Sequence, residues 1–196
     1  FSQYEAYQTN SAPSLIPLRI QYKDYSEWQL SQLESSSLSS ARSYWTEQFT
    51  GELPLLDLPS SRMRPKVKTY NGKSLKTFVS KEVTQELKEY SRNHEGTLFM
   101  SLLSALNVLF YRYTQQEDII IGSPIAGREH NDLDNQIGFY ANTVVLRNQL
   151  NGEHTFDKLF EKVKQTSLDA YSHQVYPFDR LVEELSLKRD TSRNAL

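Results

Sequence analysis

The sequence predicts a layered α/β (α+β) domain, and three observations carry that prediction. Segments with helical apolar spacing are interleaved with short β-branched runs, in the order helix, helix, strand, strand, helix. With 38% hydrophobic residues, the 196-residue chain can bury a core of its own. No apolar run reaches the roughly 18 residues that crossing a bilayer requires. The longest, around Leu98 to Phe110, is interrupted by Ser101, Ser104 and Asn107.

Taken in order, residues 1–17 are polar, carry Ser11-Ala12-Pro13 and Pro17, and read as a linker. The aromatic-rich stretch Ile20 to Leu33, with Tyr22, Tyr25 and Trp28, predicts a helix beginning around Asp24. Ser35-Ser36-Ser37 predicts a turn whose serines cap a helix over Ser39 to Phe49. Pro54, Pro59 and Pro65 make residues 50–68 an extended loop. Leu75, Thr77 and Val79 alternate and predict a strand over 74–79, followed by a helix over Thr84 to Asn93 that Gly96 ends. Thr97 is positioned to cap a helix over Leu98 to Tyr113, apolar on nearly every side and therefore expected beneath a sheet. Ile119-Ile120-Ile121-Gly122 and Ala141 to Leu150 predict strands. Phe156 to Tyr171, and Phe178 to Leu185 entered through Pro177, predict the last helices. The expected organisation is a linker over 1–17, a connection of helices and proline-rich loop over 18–73, and a lobe over 74–196.

Charge and composition narrow the function. The net charge is −2, from 22 basic and 24 acidic residues, with the basic ones scattered rather than gathered in a stripe. That argues against nucleic acid as the main partner, since neutralising phosphates needs clustered Lys and Arg. The absence of cysteine excludes disulfides, thiolate nucleophiles and cysteine metal sites, and permits a reducing compartment. The start, Phe1-Ser2-Gln3-Tyr4-Glu5, has no basic or apolar region of a signal peptide and no initiating Met, so a longer parent is expected.

The catalytic inventory is thin. His130 to Asp134 spells H-x-x-x-D, a spacing some CoA-dependent acyltransferases use, but in a polar loop it predicts a solvated histidine. His94 falls at a helix end, where it would meet the dipole. His154 precedes the capping Thr155 and also reads as structural. There is no glycine-rich phosphate loop and no metal-ligand spacing. The 12 Tyr and 9 Phe fall at core spacings without interleaved basic residues, unlike a base-stacking platform.

Six ordered segments resemble the signatures of condensation domains of nonribosomal peptide synthetases. Tyr22-Lys23-Asp24-Tyr25-Ser26-Glu27-Trp28-Gln29 resembles Y-x-D-Y-x-x-W-Q, and Tyr44-Trp45 with Phe49 resembles the following Y-W-x-x-x-L helix. Gly122 to Arg128 resembles G-x-P-x-A-G-R. Ile137 to Thr143 resembles I-G-x-F-V-N-T, with Tyr140 and Ala141 replacing the usual Phe and Val. His173 to Asp179 resembles H-Q-D-x-P-F-E, departing at Val175, and Arg189 to Leu196 resembles R-D-x-S-R-N-P-L.

The resemblance implies a chloramphenicol-acetyltransferase-like lobe, a mixed sheet flanked by helices. It implies amide bond formation between thioesters presented on phosphopantetheine arms by peptidyl carrier proteins, with no cofactor bound directly. An adjacent adenylation domain, the N-terminal lobe of the same domain, and a homodimer or swap through the face that lobe covers are the implied partners, in the cytoplasm. The family's H-H-x-x-x-D-G motif lies upstream, and no H-H pair occurs in this sequence, so no catalytic histidine is expected here and this chain alone is expected to be inactive. Gly138, Asn142 and Thr143 are expected to line the substrate tunnel, although Asn142 reads equally as a strand residue satisfying neighbouring backbone. Arg128 is expected to pair with the upstream motif's Asp. Tyr22, Asp24 and Trp28 are expected to be architectural, Asp24 as a helix cap, and His173 to fix a loop by hydrogen bonding. Two other readings stand beside this one: a non-catalytic docking module, and a CoA-type acyltransferase using His130.

Overall fold

In the computed structural model, which describes residues 2–12, 17–60, 64–187, 190–194 and 196, the chain layers helices on a small sheet. The elements are α1 (Ser2–Gln8), α2 (Tyr22–Glu34), α3 (Ser39–Gln48), α4 (Lys81–Asn93), α5 (Leu98–Thr114), β1 (Asp118–Ile125), β2 (Asn142–Gln149), α6 (Phe156–Ser172) and α7 (Phe178–Glu184). Single 3₁₀ turns cover Ser36–Leu38 and Asn131–Leu133. The elements fall into two compact units, Phe1–Ser37 with Ala126–Ala141, and Leu38–Ile125 with Asn142–Leu196. Pro13, Arg189 and Ala195, which the sequence reading used, lie outside the described residues.

The first unit holds α1, α2 and the long connection between the strands. Residues 2–8 are helical where polar composition predicts a linker. No Gly or Pro interrupts them, Glu and Gln favour helix, and Ala6 is buried at 7% exposure. The helix α2 begins at Tyr22, two residues before the expected start. Asp24 occupies its third position, and the Gln21 backbone N–H donates to its Oδ2 at 2.8 Å, satisfying a donor the first turn would otherwise orphan.

The second unit carries the main core: Trp45, Phe49, Met100, Leu103, Ile119, Val144, Leu146, Phe160, Val163 and Leu181. β1 and β2 form an antiparallel ladder with Asp118 opposite Gln149 and Ile125 opposite Asn142. Two strands alone are marginal in water. Here α6 packs on β2 and α5 on β1, while Arg147 pairs with Asp118 at 2.6 Å and donates to the Gln48 carbonyl at 2.8 Å, tying the ladder to the end of α3.

Four local expectations are corrected. Residues 74–79 are extended but make no ladder, and Leu75 and Phe78 are 96% and 97% exposed. Alternation confers strand geometry; a strand also needs a neighbour, and the described chain places none there. The helix α3 is capped at Leu38 without a side-chain bond, because the Ser35 hydroxyl is turned back to Gln32 O and Ser37. The helix α5 buries one face through Met100, Ser101, Leu103, Ser104 and Asn107, and leaves Leu102, Leu109 and Tyr113 exposed, so it is covered on one side and not on nearly every side. The left-handed residue ending α4 is Glu95 (φ 54°), not Gly96. Gly96 is required for a different reason: a Cβ there would lie 2.5 Å from the Phe160 ring.

Candidate functional site

The motif residues fall in both units, and each set has its own construction. In the first unit Arg128 is the centre of the connection between β1 and β2. Its Nη1 donates to the Leu133 carbonyl and its Nη2 to the Gln136 carbonyl at 3.0 Å, while the guanidinium lies 4.1 Å from the centre of the Tyr140 ring. Five donors in a planar fork suit Arg to gathering carbonyls in this way. Gly127 makes the turn possible: its φ is +63°, and a Cβ would sit 1.9 Å from the Tyr140 carbonyl oxygen.

Gln136, buried at 5% exposure, ties this connection to the start of α2. Its Nε2 donates to Ile20 O and Asp132 O, both at 2.8 Å, and its Oε1 accepts the Tyr140 hydroxyl at 2.5 Å. Tyr22 packs edge-on against Tyr140 with ring centres 5.3 Å apart and donates to Phe139 O at 3.2 Å. Gly138 admits that contact, because a Cβ would meet the Tyr22 ring at 2.3 Å. What Gly138 lets approach is therefore a ring. Burial, then the nearby Glu129, pushes the Tyr25 hydroxyl above its usual range, and its ring packs on Tyr140 with centres 4.7 Å apart. Asp24, at the third position of α2, accepts from the Gln21 backbone N–H. Trp28 touches Tyr25 at 5.8 Å and is otherwise half exposed, while Ile137 and Phe139 stand out from the connection at 98% and 78% exposure.

In the second unit Asn142 opens β2, and its carboxamide is saturated. Nδ2 donates to the carbonyls of Gln174 and Tyr176, each at 2.9 Å. Oδ1 accepts from its neighbour Thr143 N at 2.8 Å and from Phe178 N at 3.0 Å. Both amide protons and both acceptor lone pairs are used, so of the two readings open for this side chain the geometry favours satisfying backbone. Among the described residues the hydroxyl of Thr143 makes no hydrogen bond. Thr143 lies opposite Pro124 in the ladder.

The turn that Asn142 grips also carries His173. Its Nδ1 bonds to Asp169 O at 2.8 Å, which places the proton on Nδ1, and its ring stacks on Tyr44 at 4.1 Å. Its own carbonyl accepts the Trp45 indole N–H at 2.8 Å, so α3 is joined to the end of α6. Tyr176 donates to Glu184 at 2.8 Å, and Arg42 reaches the same carboxylate at 3.0 Å. Burial pushes the Tyr44 and Tyr176 hydroxyls each up to about 12, with Asp169 and Glu184 respectively adding to the effect.

The remaining histidines have structural partners. His130 is largely exposed, and its Nδ1 accepts from Asp132 N at 3.2 Å, capping the turn Asn131–Leu133. His94 ends α4, with Nδ1 on Tyr90 O at 2.9 Å. His154 is held below its usual range by desolvation and by Lys158 and Lys162.

Sequence reasoning missed Gln136. The available signal was Tyr140 itself, whose hydroxyl departs from the family's usual Phe and so needs a partner that a Phe would not.

Comparison with known proteins follows the same motifs. The family model described as "Condensation domain" matches residues 1–196. A linear gramicidin synthase of Brevibacillus parabrevis is 44% identical over 193 residues, which are 98% of this chain and 4% of that protein. Bacitracin synthase 3 of Bacillus licheniformis is 42% identical over 182 residues, 93% of this chain and 3% of that protein. The chain thus spans only 3–4% of the length of these relatives. A solved four-domain nonribosomal peptide synthetase bound to AMP and glycine matches with a TM-score of 0.77 and 28% identity, over 82% of this chain and 12% of that one. The X-domain from teicoplanin biosynthesis matches with a TM-score of 0.90 over 98% of this chain and 44% of that one, and at 24% identity that likeness concerns the fold. This chain belongs to the condensation domain family.

Proposed function

We propose that this chain is one wall of the site at which a nonribosomal peptide synthetase joins carrier-bound acyl and aminoacyl groups through an amide bond. The observation that carries the reading is the match of the condensation family over residues 1–196 in a chain that has no H-H pair. The amine of one thioester-bound substrate attacks the thioester carbon of the other, the C–S bond breaks, and a carrier thiol leaves. Orienting or deprotonating that amine is worth about 10²–10⁴-fold in rate and falls to a histidine outside this sequence.

The residues here position rather than react. Asn142, with no hydrogen-bonding capacity left over, holds the turn 174–178 on the start of β2. Thr143 brings an adjacent hydroxyl that makes no hydrogen bond among the described residues, the group suited to a thioester or pantetheine oxygen. Arg128, which already holds its own connection, serves the N-terminal lobe through the donors that Leu133 and Gln136 leave free. The phosphopantetheine arms are substrates delivered by peptidyl carrier proteins, and an adenylation domain and the N-terminal lobe complete the cytoplasmic assembly.

The test is condensation between loaded carrier proteins. The longer protein carrying this chain is expected to release the amide product, and residues 1–196 alone are expected to release none. Turnover by the short chain would show that its own residues suffice and would overturn the reading.

A second reading, docking without chemistry, has one observation in its favour. The teicoplanin X-domain, whose fold this chain shares at a TM-score of 0.89–0.90, has been solved in complex with OxyB. A degenerate H-H-x-x-x-D-G segment upstream, together with a longer protein that captures its partner but forms no amide, is the outcome that selects this reading.

A further inference from the structure

Two carboxamides in the second unit are enclosed without being satisfied. Asn148, in β2, is 3% exposed, and neither its Oδ1 nor its Nδ2 has a hydrogen-bonding partner among the described residues. Asn107, in α5, is completely buried; its Nδ2 donates to Leu103 O at 2.8 Å and its Oδ1 is left unmatched. Buried side-chain amides are nearly always paired, because stripping water from them without replacement is costly.

Asn148 shares its side of β2 with Val144 and Leu146, both wholly buried. Just beyond it the chain turns through Gly152, and a Cβ there would lie 2.6 Å from the hydroxyl of Tyr111. Tyr111 stands one helical turn after Asn107 on α5. The end of β2 and this stretch of α5 therefore border the same interior, which α6 closes by packing on both.

We propose that one internal water molecule bridges Asn107 and Asn148. It donates to Asn107 Oδ1 and to Asn148 Oδ1 and accepts from Asn148 Nδ2. That makes three hydrogen bonds, about the number that buried waters commonly make. Enclosure by the chain itself selects a guest this small: at 0% and 3% exposure, no group of another molecule reaches these amides. Neutral amides with both donors and acceptors select water over an ion.

The test is a crystal structure of the protein carrying this chain, at a resolution that places ordered water, alongside Asn148→Leu, which is nearly the same shape and apolar. A density peak within hydrogen-bonding distance of both amides, lost in Asn148→Leu, is expected. Direct pairing of the two amides, a peak that reaches only one of them, or a peak that persists in Asn148→Leu overturns the proposal. The unmodified protein gives an independent answer if the variant does not fold. Its Asn148 side-chain amide protons should show a nuclear Overhauser contact to water with the sign of a long-lived internal molecule, and absence of that contact also overturns the bridge.

Discussion

At the residue scale, the positions marked by family motifs turn out to be hydrogen-bond organisers. Asn142 is the clearest case, with four bonds to the backbone and none to spare. Asn142→Ala leaves two carbonyls and an N–H of the turn 174–178 without partners. We expect a loss of about 3 kcal/mol, since each buried group left unsatisfied costs about 1–3 kcal/mol and the turn can relax toward water. Urea unfolding of the two proteins measures it, and a loss below about 0.5 kcal/mol would be the ordinary surface effect and would remove the clamp. Gln136 and Tyr140 make a second case, since each explains the other's presence. Tyr140→Phe and Gln136→Leu are each expected to destabilise by about 1–2 kcal/mol, and the double variant by less than their sum, with a coupling of about 0.5–1.5 kcal/mol. Additive losses in the double-mutant cycle would show that the 2.5 Å bond carries nothing.

At the element scale, most boundaries were legible because the signals are local. Thr97 caps α5 and Thr155 caps α6 through bonds to the third residue on, and Pro177 sets the entry to α7. Failures came where a partner decides the outcome. Residues 74–79 alternate as a strand should, yet remain unpaired. The apolar sequence of α5 gave no hint that Leu102 and Leu109 would be left exposed. Gly96 shows the same limit: it reads as a helix stop, whereas Phe160, 64 positions later, is what excludes a side chain there. Gly96→Ala is expected to cost about 1–3 kcal/mol by overpacking, with α4 and α5 otherwise retained. Thermal melts in the Phe160→Leu background check the cause, because the smaller side chain should absorb most of the penalty.

At the scale of the whole molecule, helices α3, α6 and α7 meet around the half-buried Tyr44 and the buried Tyr176, and this predicts an alkaline limit to stability. Tyr44 and Tyr176 ionise near 12 in the fold against 10.0 in the free side chain. A group whose pKa is raised by folding stabilises the native state while protonated. The contribution is therefore complete below pH 10 and is lost as pH climbs toward about 12. The melting midpoint should fall across that window, and the fall should be shallower in Tyr44→Phe with Tyr176→Phe. An unchanged slope in the double variant would assign the alkaline limit to other groups.

Residue order alone settles the family, the α/β class, the succession of the main helices and strands, and the absence of paired histidines. Those depend on residue identity and on spacings of two to four positions, which are visible directly in the chain. What the motif residues bond to was decided only by folding. Asn142 reaches across 32 and 34 positions to its carbonyls, and Gln136 across 116 to Ile20. Such bonds exist only after the chain has folded back on itself, so no periodicity records them. A carboxamide that could equally have faced a substrate is committed to backbone because the fold brings those carbonyls within 2.9 Å.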